Sequence, residues 1–181
     1  MNNIENIIKT TVDSIHKDFS ENPYDYVSYE IEAQVKLYNA LKEHITDKMY
    51  ITNEWFIPPL VNQSTSRIRL GYKLLNYIHD IIIFKPNVHN PTKYDDVEAL
   101  IEIKIGYGDD KKLLTGPATK DFSILREYNE IGYFIFFIAN EFDKTSKNFQ
   151  DFFIRTFESY KKEYNFKSNH AFVIFRDKII Q

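Results

Sequence analysis

A chain of 181 residues, 43% hydrophobic and 16% aromatic, can bury one sizeable core, and its length fits one domain better than two. The absence of cysteine excludes disulfides, cysteine-ligated zinc and thiol nucleophiles, and suits a reducing cytoplasm. A net charge of -3 argues against a strongly basic coat that holds nucleic acid through wholesale counterion release, though a local basic rim remains compatible with it.

Met1 to Lys17 is polar and mixed, with acids at Glu5 and Asp13 and no basic flank leading into an apolar run, so no signal peptide is expected. The longest apolar stretches, such as Tyr133 to Ala139, fall well short of the roughly 20 residues that span a bilayer. A cytoplasmic chain with no membrane partner is the expectation.

In chain order, a first helix is predicted from about Asn3 to Phe19, and Glu21-Asn22-Pro23 breaks it before a second from about Tyr24 to Ile45. At roughly 100° per residue, Val27, Ile31, Val35, Tyr38, Leu41 and Ile45 form one apolar stripe on that helix. Glu30 borders the stripe, Gln34 one turn on is inward, and Glu32 should face water. A β-branched and aromatic strand covers Met49 to Ile57, and a second spans about Leu74 to Phe84. After a loop containing Pro86 and Pro91, a third strand runs from Val97 to Tyr107. Gly108 to Pro117 turns into a helix from about Thr119 to Asn129, and Gly132 opens a fourth strand to Ala139. Phe142 to Tyr164 reads as a helix whose Phe149, Phe153, Phe157, Tyr160 and Tyr164 make a core stripe, with Phe152 able to reach a subunit interface. Ala171 to Phe175 is a last short strand.

The chemistry concentrates in two strands. In Ala99-Leu100-Ile101-Glu102-Ile103-Lys104-Ile105, strand alternation puts Glu102 and Lys104 on one face about 6.6 Å apart, while the isoleucines fill the other. Asp80 precedes Ile81-Ile82-Ile83-Phe84 and shares a face with Ile78, Ile82 and Phe84, so it is partly buried if the strand is central. A buried carboxylate must neutralise, pair or bind a metal, because leaving it bare costs several kcal/mol. His79 should point to the opposite face. His16, His44, His79, His89 and His170 are scattered without a zinc-hydrolase spacing, and Gly106-Tyr107-Gly108 lacks the pattern of a phosphate-cradling loop. Lys104, Lys111, Lys112, Lys120 and Arg126 cluster in sequence around the acid-x-lysine strand, either as a basic rim or as solvated surface.

The order helix-acid, strand, strand-Asp, loop, strand-Glu-x-Lys, helix, strand resembles the PD-(D/E)XK nuclease superfamily, from about Tyr24 to Ala139. The resemblance implies an α/β restriction-endonuclease-like αβββαβ core, a mixed central sheet flanked by helices, within a single domain over residues 1–181. It implies magnesium, with manganese as a substitute, held by Asp80, Glu102, Glu30 and the Ile103 carbonyl, and Lys104 to orient water or stabilise the phosphorane. Lys120-Asp121-Phe122-Ser123-Ile124-Leu125 is similar to the basic-acidic, leucine-rich opening of the following helix in many members. His79 stands where the family's name has proline, the loop between Asp80 and Glu102 is long, and Glu54 is a reserve acid. The implied activity is phosphodiester hydrolysis, most readily as a DNA endonuclease of restriction, mobile-element or repair type. A homodimer, a nicking monomer and a subunit of a larger complex all fit. A catalytically inactive binding or assembly module and an ordinary α/β protein with coincidental charges are the alternatives.

Overall fold

The computed structural model describes residues 4–21, 29–45, 50–53, 73–74, 77–85, 94–107, 117–126, 128, 130–139 and 147–181. Their elements run α1 (Ile4–Glu21), α2 (Glu30–His44), β1 (Tyr50–Asn53), β2 (Lys73–Leu74), β3 (Tyr77–Ile78), β4 (Ile81–Phe84), β5 (Val97–Tyr107), α3 (Pro117–Arg126), β6 (Gly132–Ala139), α4 (Lys147–Glu163), β7 (Ala171–Ile174) and β8 (Ile179–Ile180). Short 3-10 turns at Tyr94–Asp96 and Ser168–His170 lead into β5 and β7.

Six strands form one mixed sheet in the order β1-β4-β5-β6-β7-β8, and β2 and β3 pair separately. β4 is antiparallel to both of its neighbours, β1 and β5, while β5, β6 and β7 are parallel and β8 returns antiparallel to β7. The two parallel steps are bridged by α3 and α4, as parallel neighbours require a long crossover. Such central strands are covered on both faces, which is why β6, Gly-Tyr-Phe-Ile-Phe-Phe-Ile-Ala, is buried along its whole length.

The sheet separates two apolar layers. On one face Ile81, Ile83, Ile101, Ile103, Ile135 and Phe137 meet α1 and α2, while on the other Ile82, Leu100, Phe134 and Phe136 meet α3 and α4. Helix α1 is strongly amphipathic and buries Ile4, Ile7, Ile8, Thr11, Val12, Ile15 and Phe19 at helical spacing. The second layer is aromatic. Phe122 packs on Phe134 with ring centroids 4.4 Å apart and meets Phe157 and Phe166 edge-on, an arrangement worth more than area burial alone.

Several expectations change at this level. The predicted strand Leu74 to Phe84 divides into the β2–β3 pair and β4, with a bend at Asp80. The stripe on α2 is rotated: Ala33, Gln34, Leu37, Tyr38 and Leu41 are buried, whereas Val35 is 40% exposed. Ala33 and Gln34 carry little apolar weight in a sequence pattern, yet a small residue and a hydrogen-bonded amide are what the close packing accepts. Glu32 is half-buried rather than solvent-facing. The hairpin partner β8 was not anticipated, because Ile179–Ile180 is only two residues long. In α4, Phe153 and Phe157 are buried, with Tyr160, Phe152 and, just past the helix end, Tyr164 packed against the same cluster. The Phe149 side chain, Glu54, Lys111, Lys112, Val27 and the start of the predicted second helix lie outside the described residues. Among the described residues no helix is long and apolar enough to cross a membrane.

Candidate functional site

β5 extends well past the end of β4. The β4–β5 ladder ends at Ile81↔Ile101, so Glu102, Ile103 and Lys104 run on with no β4 residue opposite them. On their other side all three stay paired, to Phe134, Ile135 and Phe136 of β6. The chain at His79-Asp80 fills the gap with side chains in place of ladder bonds.

Asp80 accepts hydrogen bonds on both oxygens. The Ile103 N–H reaches Oδ2 at 2.6 Å, and Gln34 Nε2, from α2, reaches Oδ1 at 2.9 Å. His79 Nδ1 lies 2.5 Å from Glu102 Oε1. Successive residues of the bend thus latch onto successive residues of β5. The two side chains of the bend take different partners: Asp80 reaches the Ile103 N–H and Gln34 of α2, whereas His79 reaches the Glu102 side chain and feels Asp121 of α3. The signal in the sequence was weak: a histidine beside an aspartate at a strand start fits many environments.

Lys104 lies between two helices. Its Nζ is 3.1 Å from Glu30 Oε1 on α2 and 3.2 Å from Asp121 Oδ2 on α3. The structure therefore brings together all four expected side chains, Glu30, Asp80, Glu102 and Lys104, and adds His79, Gln34 and Asp121. In the sequence Asp121 stands out only as part of a helix-opening pair, in the first half of the helix that follows β5. Lys120 and Arg126 are exposed, and Lys104 belongs to the buried cluster rather than to a basic rim.

Burial sets the electrostatics. Asp80 and Glu102 are 6% and 5% exposed. Desolvation and then the Glu102 charge push the Asp80 carboxyl well above the usual aspartate range, against the pull of Lys104 and the Ile103 N–H. Desolvation likewise raises Asp121, although Lys104 pulls it down. For Lys104, desolvation acts downward, but Asp121, Asp80 and Glu30 together outweigh it and hold the ammonium above the usual lysine range. Burial lowers His79 to about 4 against the pull of Asp121. The His79–Glu102 separation would also suit an ion pair, yet so fully enclosed a ring stays neutral near pH 7, and the contact is a hydrogen bond.

Four carboxyl groups and one ammonium make a cluster with a deficit of positive charge. Among the described residues no three acid, histidine or cysteine side chains form a ready metal cage. Magnesium does not demand one, since it is commonly held by one or two carboxylates with water completing the octahedron, and the Asp80–Glu102 pair fits that donor set. The backbone adds to it: in an extended strand the N–H and C=O of one residue point to the same side, so the Ile103 carbonyl faces the Asp80 side as its N–H does. Compared with protein-family models, curated proteins and solved structures, the chain matches none of them.

Proposed function

We propose that this chain is a divalent-cation-dependent nuclease of the PD-(D/E)XK superfamily, hydrolysing phosphodiester bonds, with DNA as its substrate. The observation that carries the reading is the convergence of Asp80, from the bend before β4, with Glu102 and Lys104 of β5, in a buried cluster short of positive charge. The succession α2, β1, β4, β5, α3, β6, with three antiparallel strands followed by a parallel one, supports a restriction-endonuclease-like αβββαβ core with β2–β3 as an insertion.

Asp80, Glu102 and the Ile103 carbonyl would hold magnesium or manganese, with Glu30 at its outer edge. A cation there would lower the pKa of a bound water and offset charge on the scissile phosphate. Lys104 remains an ammonium, because Asp121, Asp80 and Glu30 surround it, so it serves as a charged donor to phosphate oxygens rather than as a base. Glu30 and Asp121 keep that ammonium in place from the two sides of the sheet. Gln34 and the Ile103 N–H orient the Asp80 carboxylate.

The test is a substrate panel of duplex, single-stranded and branched DNA and RNA, incubated with magnesium or manganese. One observation favours a second reading, an inactive binding or assembly module: both Asp80 oxygens already accept protein hydrogen bonds. Under that reading no substrate is cut and neither cation raises the melting temperature.

A further inference from the structure

We infer that His79 is a positioning residue for Glu102: its Nδ1–H fixes the carboxylate in the orientation in which it meets a divalent cation. The inference rests on the cation-dependent reading above and adds to it a residue that the acid, acid-x-lysine pattern does not contain. His79 and Asp80 engage Glu102 and Ile103 in register, side chain to side chain and side chain to backbone, at 2.5 Å and 2.6 Å. The bend therefore sets the direction of two carboxylates at once. Rotating Glu102 away would break its bond to His79, and moving the bend would also break the bond from Ile103 to Asp80.

The imidazole is suited to this task. Its side chain has no solvent exposure, so its orientation is fixed by packing, and Glu102 beside it has only 6%. A carboxylate has about four lone-pair positions, so a hydrogen bond at Oε1 does not by itself exhaust the acceptor capacity of Glu102. Hydrogen bonds from a neighbouring ring or amide commonly orient metal-binding carboxylates, and losing them weakens metal binding about ten- to a hundredfold. Proline, which the resemblance would place here, has no side-chain donor. The carboxylate oxygen of Glu102 can only accept, which assigns a ring proton to the nitrogen that faces it, Nδ1.

The experiment measures manganese binding to the full chain by electron paramagnetic resonance of the free ion, alongside metal-free melting temperature, for wild type, His79→Ala, His79→Asn and His79→Gln. The Asn amide nitrogen occupies nearly the place of Nδ1, whereas the Gln amide reaches one bond further. The expected result is that His79→Ala loses about ten- to a hundredfold in affinity, His79→Asn restores most of it and His79→Gln does not, with similar melting temperatures for the two amides. Equal binding by His79→Asn and His79→Gln overturns the inference, as does wild-type affinity in His79→Ala, and the nuclease reading survives both. Should His79→Ala fail to fold, the amide pair alone decides. A wild-type chain that binds no manganese overturns the inference and the cation-dependent reading together.

Discussion

Lys104 Nζ stands 3.1 Å from Glu30 Oε1 and within 3.2 Å of Asp121 Oδ2, so one ammonium ties together the helices that cover opposite faces of the sheet. Lys104→Ala is expected to do two kinds of damage. Removing the partner of the buried Asp121 carboxylate should cost roughly 3 kcal/mol, read as a drop in denaturation midpoint. Catalysis should fall by about 10²–10³, the loss typical of removing one charge-stabilising donor.

The protonation of Lys104 can be read separately. Its ammonium is held above the usual lysine range, so its contribution to stability is fully present below the ordinary lysine pKa and is lost only as pH rises through the higher native value. The rate against pH should show no lysine titration between about pH 6 and 9. A step there that vanishes in Lys104→Arg would assign the lysine a proton-transfer role instead.

For Asp80 the slope has the same sign but falls in a lower pH range. Burial and Glu102 raise its native pKa, so the native state keeps its proton at pH values where the unfolded chain has released it. Its contribution to the metal-free protein is therefore most favourable in acid and declines as pH rises from the ordinary aspartate value toward the native one. Asp80→Asn, whose carbonyl can still accept from Ile103, should then be more stable than wild type at neutral pH and similar to it near pH 4. Each kcal/mol of relief corresponds to about 2–4 °C in melting temperature. Magnesium should stabilise wild type and leave Asp80→Asn unmoved, which thermal melts with and without the ion would show.

A further expectation concerns the frame. A Cβ at Gly132 would stand 3.1 Å from the Tyr128 carbonyl oxygen and 3.1 Å from Leu125 Cδ2, where the chain turns from α3 into β6. The Gly132 N–H also donates to Tyr128 O at 2.7 Å, which keeps that carbonyl close. Gly132→Ala should cost about 1–3 kcal/mol through overpacking, seen in denaturant titration, with the cation affinity unchanged.

The sequence made the centre of the sheet legible and its margins less so. Glu102 and Lys104 could be placed because Ile101, Ile103 and Ile105 alternate with them over a strand long enough for the period to dominate, and β6 could be placed because a run buried on both faces is almost wholly apolar. The partner of His79 was not legible, because at the bend bonds to β5 decide where a side chain goes and the sequence alone does not show that Glu102 lies beside it. The buried face of α2 was misjudged at Val35, since the small Ala33 takes a buried place that its weak apolar character does not announce, whereas Gln34, inward in the sequence pattern, is buried and bonded to Asp80. Asp121 stayed in the background because its partner, Lys104, reaches it only after the β5–α3–β6 crossover forms.

The most direct measurement is cleavage of DNA by purified wild-type protein and by Glu102→Gln, side by side, in magnesium and in manganese. Expected is cation-dependent cutting by wild type, abolished by a chelator and reduced at least about 10²-fold in Glu102→Gln. Equal cutting by the two proteins, or no cutting of any DNA or RNA substrate by wild type in either ion, would contradict the nuclease assignment.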